Sequence, residues 1–486
     1  MSRDLPARPS LEHLKKQAKE TLRSLASDSA SVRPTLADAQ HLIAREYGFL
    51  NWAALKTHVE SLAQADPSEM LAAAVRTNDA GRAATLLRRH PDLGPIVNGP
   101  MPGDGFGTTM LMVAVRRENS EMIDLLLRYG ADINGRSEWW AGGFGVLDIC
   151  ALEFAPALIG RGAEIDVHAA ARLGMVETLD HLVTGTPALV HARGGDGQTP
   201  LHVARTIEVA QYLLDHGADL DARDIDHEST PAQYLVRERQ SIARLLVRRG
   251  ARTDILMAAA LGDVDLVRRH LNSDPGCIRM SVSEEWFPKQ DPRAGGTIYI
   301  WQLGAHRTAH SVARDFGHED VFQLLLERTP QDLKLSLACE LGDQAVFQEF
   351  LSKHPDVAKT LSEADQRKLP NAAQVNNTEA VRLMLEAGWP VDTPGEMGAT
   401  ALHWAGFNGN AEMAREILRF HPALELKSRE YAGTALAWAL FGSGNGWRRD
   451  VGDYVGTIRA LLESGAMLPE HAQDLEPSDA VLEMLP

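Results

Sequence analysis

Thr199-Pro200-Leu201-His202-Val203-Ala204 opens a stretch that closes on Leu213-Leu214-Asp215-His216-Gly217-Ala218-Asp219. Its two halves, a Thr-led opening and a Leu-rich helix ending in Gly, return along the chain with variations. Four further segments share one frame: residues 72–91, 168–187, 257–275 and 337–355. In each, thirteen positions separate a turn residue (Asn78, Gly174, Gly262, Gly342) from a proline (Pro91, Pro187, Pro275, Pro355). Gly and Asn are the residues that best accept the left-handed backbone of a tight helix-to-helix turn. The pattern is helix, turn, helix, stop. Leu214 falls in the second helix of its unit and is expected to be buried.

The chain has 486 residues, with 49 basic and 66 acidic side chains and a net charge of −17. An acidic surface repels nucleic acid and anionic membranes, and neither is expected as a partner. The first thirty residues are charged throughout, and no uncharged apolar run approaches the ~20 residues of a membrane span, so a cytoplasmic protein is expected. Cys150, Cys277 and Cys339 lie far apart, which signals neither a disulfide framework nor a zinc site. No phosphate-binding Gly loop, HExxH or GxSxG is present, and no cofactor or metal is expected.

Thr-led openings stand at residues 108–115, 199–206, 229–236, 308–315, 399–406 and 433–440, and Leu-rich closings at 122–134, 209–224 and 381–392. This resembles the ankyrin repeat family, whose TPLHxA signature and LLLxxGAD terminator match Thr199–Ala204 and Leu213–Asp219. The resemblance implies an all-α helix-turn-helix solenoid of about twelve irregular units over residues 69–468, in which each helix pair buries its apolar face against its neighbours. In the family, the Thr caps the inner helix and the His links neighbouring turns. That makes His202 and His403 structural, and places Trp404 and Trp438 in the core. Residues 146–166 are too short for two full helices, the unit at 199–217 is about three residues short, and the unit at 371–388 lacks its Thr.

Residues 1–65 carry Leu11, Leu14, Ala18, Leu22 and Leu25 at helical spacing, with a second such pattern broken at Gly48. Similar helical leaders precede ankyrin arrays in many bacterial proteins. The simplest role for this one is a cap over the first repeat; dimerisation is the sharper alternative. Residues 469–486 are a tail or a second cap.

In the family geometry the residue two before the turn faces the concave groove. That position reads Arg76, Arg116, Arg172 and Arg237, then Ala260, Asp315 and Glu340, then Phe407 and Phe441. The arginine row suits an anionic ligand, and surface ion pairing with residues such as Glu118 and Glu238 is the alternative. Insertions at 94–107, 133–145 and 276–307 exceed the repeat length, as binding loops do. They carry Trp139, Trp140, Phe144, Trp286, Phe287, Tyr299 and Trp301, which serve either as ligand contacts or as anchors for the loops. A fourth insertion, 441–456, lies between the helices of the last unit. Around Asp224, one residue is added and His227 replaces the usual turn glycine. Asp226, His227 and Glu228 there suit general acid–base work or a hard cation, whereas a self-capping Asx-type turn explains the same residues without chemistry.

The chain is therefore expected to be a scaffold that holds a protein segment or small ligand in its groove. The alternative is a hydrolase, lyase or isomerase whose pocket is built by the fingers. An open groove favours the first, and a closed pocket with titratable groups favours the second.

Overall fold

The computed structural model describes residues 5, 9–28, 35–355 and 361–485, with the side chains of 26–28 and 61–65 left aside. The expected leader and array both include residues outside these. The described residues form helices joined by turns, and their only extended pairings are the isolated bridges Pro100–Thr109 and Ser281–Thr308.

Each repeat begins with a capped inner helix. Thr109, Asp166, Asp254 and Thr434 accept a hydrogen bond from the backbone N–H three residues on. The turn residues Asn78, Gly174, Gly262 and Gly342 all take positive φ (62°, 77°, 63° and 66°), as their spacing predicts. The outer helix is then capped in the same manner by Asp79, Asn119, Asp263, Asp343, Asn377 or Asn410. Each such cap is worth about 1 kcal/mol, so the frame is reinforced twice per repeat. The inner helix Ile255–Leu261 is buried on all sides, with no residue more than 1% exposed.

In the outer helix Ile207–Asp215, Leu213 is fully buried while Leu214 is only half-buried, so the expected register there is off by one residue. Trp404 and Trp438 lie in the core as expected, packed edge to face at 5.1 Å.

Two compact units divide the chain: Ala63–Arg328, and Met1–Leu62 together with Thr329–Pro486. In the second, the leader forms helices α1 (Leu11–Asp28), α2 (Leu36–Glu46) and α3 (Trp52–Ala65), built round Leu14, Ile43, Trp52 and Leu55. Within this unit the helices meet the C-terminal segment. Trp52 Nε1 donates to Glu476 at 3.1 Å, Lys15 and Lys56 pair with the same carboxylate, and Ala53 N donates to Asp474. The His41 and His471 rings stack at 4.0 Å. The physical reason is charge: two lysines and an indole donor of the leader converge on the buried Glu476 carboxylate, and Asp474 takes the Ala53 amide with His41 beside it. The tail is itself anchored, with Val481 fully buried and Ser478 N donating to Ser443 Oγ.

Two inner helices are cut short, to Val146–Ile149 and Pro200–Val203, and the 276–307 finger carries a single-turn helix, Tyr299–Gln302. A truncated helix leaves carbonyls without intrahelical partners, and a cation is the favoured group at that end. Arg172 donates to Leu147 O at 3.0 Å and to Cys150 O, Arg239 to Val203 O and Ala204 O, and Arg237 to Gln302 O. Short repeats are thus completed by arginines from the units beside them.

Candidate functional site

The geometry begins at the turn Gly195-Asp196-Gly197. Asp196 sits at φ 54°, and Gly197 leaves room for Ile225, whose Cγ1 would lie 2.3 Å from any added Cβ. The Asp196 carbonyl accepts from Ile225 N and Asp226 N (2.8 and 3.1 Å), which fixes the next hairpin tip against this turn.

Within that tip, Asp224 is structural: its carboxylate accepts from His227 N, Ser229 N and the Tyr234 hydroxyl at 2.7–2.9 Å, the Asx-type turn that the sequence allows. The three residues singled out from the pattern all grip the 276–307 finger. Glu228 accepts from Gln290 N and Asp291 N (2.8 Å each at best), Asp226 from Gly295 N, and His227 Nδ1 donates to Gly296 O at 2.9 Å. Ser229 Oγ accepts from Ile298 N. Glu228 is committed to backbone amides, so a shared acid–base role for all three is not what the geometry offers. Asp226 and His227 do converge, with Oδ2 and Nε2 3.6 Å apart. Asp196, which the sequence reading misses, joins them from the preceding turn. Its signal is weak, because an Asp before Gly is ordinary in a finger turn.

Burial pushes the Asp196 carboxyl up to about 6; the His227 ring opposes this, while Asp226 and Asp224 add to it. The Trp139 indole lies near enough to favour the charged form. Burial also raises Asp224.

The long finger roofs a cavity of about 320 Å³ against the hairpin. Its walls include Arg223, Arg252 and Lys289, with Trp286 and Phe287 on the finger side and His227 and Glu228 on the hairpin side. Arg252 and Lys289 are in ion pairs with Asp221 and Glu284.

The aromatic candidates divide by role. Tyr299 is fully buried and donates to Asp254 at 3.1 Å, so it anchors the finger's return. Phe287 packs edge-on to Tyr299 at 5.4 Å and, with Trp286, faces the cavity. Trp301 is 59% exposed and lies over the His227 ring at 4.7 Å. Trp139 packs on Phe106 at 4.6 Å, joining the first two fingers, and Trp140 carries the Arg293 guanidinium at 4.2 Å, joining the second to the third. Phe144 packs on Gly195 and lines a small pocket of about 90 Å³ with His168, Arg172 and Arg239.

The arginine row is not a single surface. Arg172 caps a truncated inner helix as described, Arg237 caps the short helix of the 276–307 finger and lies over the Phe316 ring at 5.1 Å, and Arg76 donates to Pro102 O, holding the 94–107 finger. Arg116 alone of the four is exposed with no such bond among the described residues. Phe407 and Phe441 belong to the other compact unit; there Phe407 meets Trp404, Trp438 and Trp447, and Phe441 packs on the same core. Within the fourth insertion the Tyr454 hydroxyl donates to Phe407 O at 2.9 Å.

His202 and His403 behave as the family implies. Nδ1 of each accepts from the capping Thr N, and Nε2 donates to a carbonyl of the next hairpin, Ser229 or Gly433, at 3.1 Å. The family model for ankyrin repeats in three copies matches residues 167–257 and 335–430, and that for a single ankyrin repeat matches 106–138. The chain is an ankyrin repeat protein. No curated protein matches it. No helix among the described residues of this ankyrin repeat protein is long and apolar enough to cross a membrane. Ankyrin repeats generally mediate protein–protein binding, and the scaffold on which the fingers stand is one of that kind.

Proposed function

We propose that this ankyrin repeat protein is a recognition scaffold whose ligand enters the cavity beneath the 276–307 finger. The ligand is a small molecule or peptide segment bearing an anionic group. One observation carries this reading: the finger is folded back by its own backbone amides onto Asp226 and Glu228, and the space so enclosed is lined by Arg223, Arg252, Lys289 and two aromatic rings. Asp221, Glu228 and Asp254 line the same space, but Glu228 is taken up by finger amides and Asp254 by Tyr299, and the cations beside apolar walls suit a carboxylate or phosphate attached to an apolar body.

The enzymatic reading is favoured by a separate observation, the Asp226–His227 pair at the edge of the cavity with Asp196 beside it. Against it stands the use of most tip residues to hold the finger.

A thermal-shift screen of acidic peptides and small carboxylates and phosphates against the full chain tests the proposal. Hits are expected to lose at least tenfold in affinity, about 1.4 kcal/mol, in Lys289→Ala and Arg252→Ala and to be unaffected by Arg116→Gln. Hits that respond only to Arg116 would move the site to the groove.

A further inference from the structure

The tip that grips the finger presents three side chains whose geometry asks for a cation. We infer that Asp196, Asp226 and His227 together bind a divalent transition-metal ion of the Zn²⁺ or Mn²⁺ class. This stands on the geometry of the tip and does not depend on the cavity's ligand.

The first ground is the tautomer of His227. Gly296 O is an acceptor only, so the Nδ1 position 2.9 Å away carries a proton. That turns Nε2 toward Asp226 Oδ2 at 3.6 Å, so the ring nitrogen left for a ligand bond and the carboxylate oxygen face the same point. A backbone carbonyl holding Nδ1–H while Nε2 faces outward is the arrangement by which proteins orient metal-bound imidazoles.

The second ground is convergence. One ligand atom from each of Asp196, Asp226 and His227 lies within 4.8 Å of the other two. Bonds of about 2.0–2.2 Å in tetrahedral geometry set ligand atoms roughly 3.3–3.6 Å apart, so the Asp226–His227 pair is already at spacing and Asp196 needs a small inward movement.

The third ground is rigidity. Asp196 is held at φ 54° with its N–H donating to Gly142 O and its carbonyl taken by two amides, and Asp226 Oδ1 accepts from Gly295 N. The Asp226 carboxylate is therefore held through its second oxygen, while the Asp196 backbone is fixed and its side chain supplies the inward movement. One imidazole and two carboxylates suit Zn²⁺ or Mn²⁺ better than an all-oxygen ion such as Ca²⁺ or a thiolate-seeking one such as Cu⁺. Three protein ligands leave at least one position for water or a ligand oxygen.

His41, His471 and Asp474 form a second such grouping, but the two rings lie parallel, 3° apart in orientation, so one ion does not lie in the plane of both. They serve as an internal control.

The test uses the untagged full chain stripped with chelator. Titration calorimetry with Zn²⁺ and with Mn²⁺ is expected to show a site that Asp226→Asn and His227→Gln each weaken by at least about 100-fold, while His41→Gln leaves it unchanged. Pulsed electron paramagnetic resonance of the Mn²⁺ form should show imidazole nitrogen coupling that His227→Gln abolishes. Histidine nitrogen NMR on the wild type decides the matter even where a variant fails to fold: the Nε2 signal of His227 should shift on adding Zn²⁺. A His227 ring that ignores Zn²⁺, metal binding that survives both variants, or binding lost in His41→Gln would each overturn the inference.

Discussion

The hairpin turns at 194–203 and 395–404 are built alike and used differently. In both, a residue with positive φ occupies the turn centre, Asp196 at 54° and Met397 at 57°. Gly194 N donates to Gln198 O at 2.9 Å in one, and Gly395 N to Ala399 O at 2.8 Å in the other. The turn carbonyl in each accepts from the next hairpin, from Ile225 N or from Glu430 N. His202 and His403 bridge to that next hairpin by identical bonds. The difference is confined to the tip that follows. After the first turn come Asp226, His227 and Glu228, which clasp an inserted finger; after the second, Tyr431 packs against Trp438 at 6.0 Å. The frame is thus a common support, and specialisation resides in tip residues and in the insertion they hold.

Shared mechanics predict shared costs, and these are the largest effects expected. His202→Ala and His403→Ala should each destabilise by about 3 kcal/mol in urea denaturation, since each removes a buried ring, leaves a capping amide without its partner, and leaves a buried carbonyl with only its backbone donor, Asp224 N or Ser428 N. A much smaller loss at one of them would mean that the two turns are not equivalent.

Both rings are held neutral by burial, with pKa lowered from the ordinary 6.5 to about 4. The unfolded chain takes up the proton first. Stability is therefore complete above about pH 6.5 and is lost as pH falls toward 4, by about 3 kcal/mol per ring at the limit. Melting temperature measured from pH 7 to 4.5 should fall, and the fall should shrink when both histidines are replaced by Gln.

The outer helix offers a sharper contrast within one repeat. Leu213→Ala should cost about 2–5 kcal/mol and Leu214→Ala about 1 or less, because only Leu213 is fully enclosed. Equal costs would restore the register read from the sequence.

Exchanging Glu284–Ala294 for a short Gly/Ser linker keeps the Tyr299 anchor and removes the cavity's roof. The variant should melt within a few degrees of the wild type and lose the ligands found by thermal shift. Cooperative unfolding that disappears in this variant would make the finger part of the scaffold. The smallest effects separate the arginines: Arg172→Gln should cost about 1–2 kcal/mol through the carbonyls it caps, and Arg116→Gln less than about 0.5.

The repeat frame was legible because it rests on local chemistry. Asn78, Gly174, Gly262 and Gly342 announce their turns by residue type and spacing, and the Thr-led motifs carry their caps with them. What was not legible depends on distant partners. The leader's choice of Asp474 and Glu476 rests on contacts more than 400 residues apart in sequence, as in the bond from Trp52 to Glu476. The arginine row looked like a ligand surface because its carbonyl partners, a truncated helix end for Arg172 and finger backbone for Arg76 and Arg237, are a three-dimensional fact. For Arg172 a trace was present in the short unit at 146–166, whose missing residues leave a helix end that something must cap. Asp196 was hidden by being ordinary, since its convergence with Asp226 and His227 arises only from the packing of one turn on the next tip.

The central claim is that the tip at 226–229 holds the finger, as the tip after Met397 holds no such insertion. Amide hydrogen exchange at Gln290, Asp291 and Gly295 tests it most directly. The wild type should protect these amides, and Glu228→Ala should speed exchange at Gln290 and Asp291 by about 10–100-fold, the worth of bonds to a charged acceptor, while Glu430 exchanges as before. Unprotected amides at 290–295 in the wild type, or rates indifferent to Glu228, would contradict it.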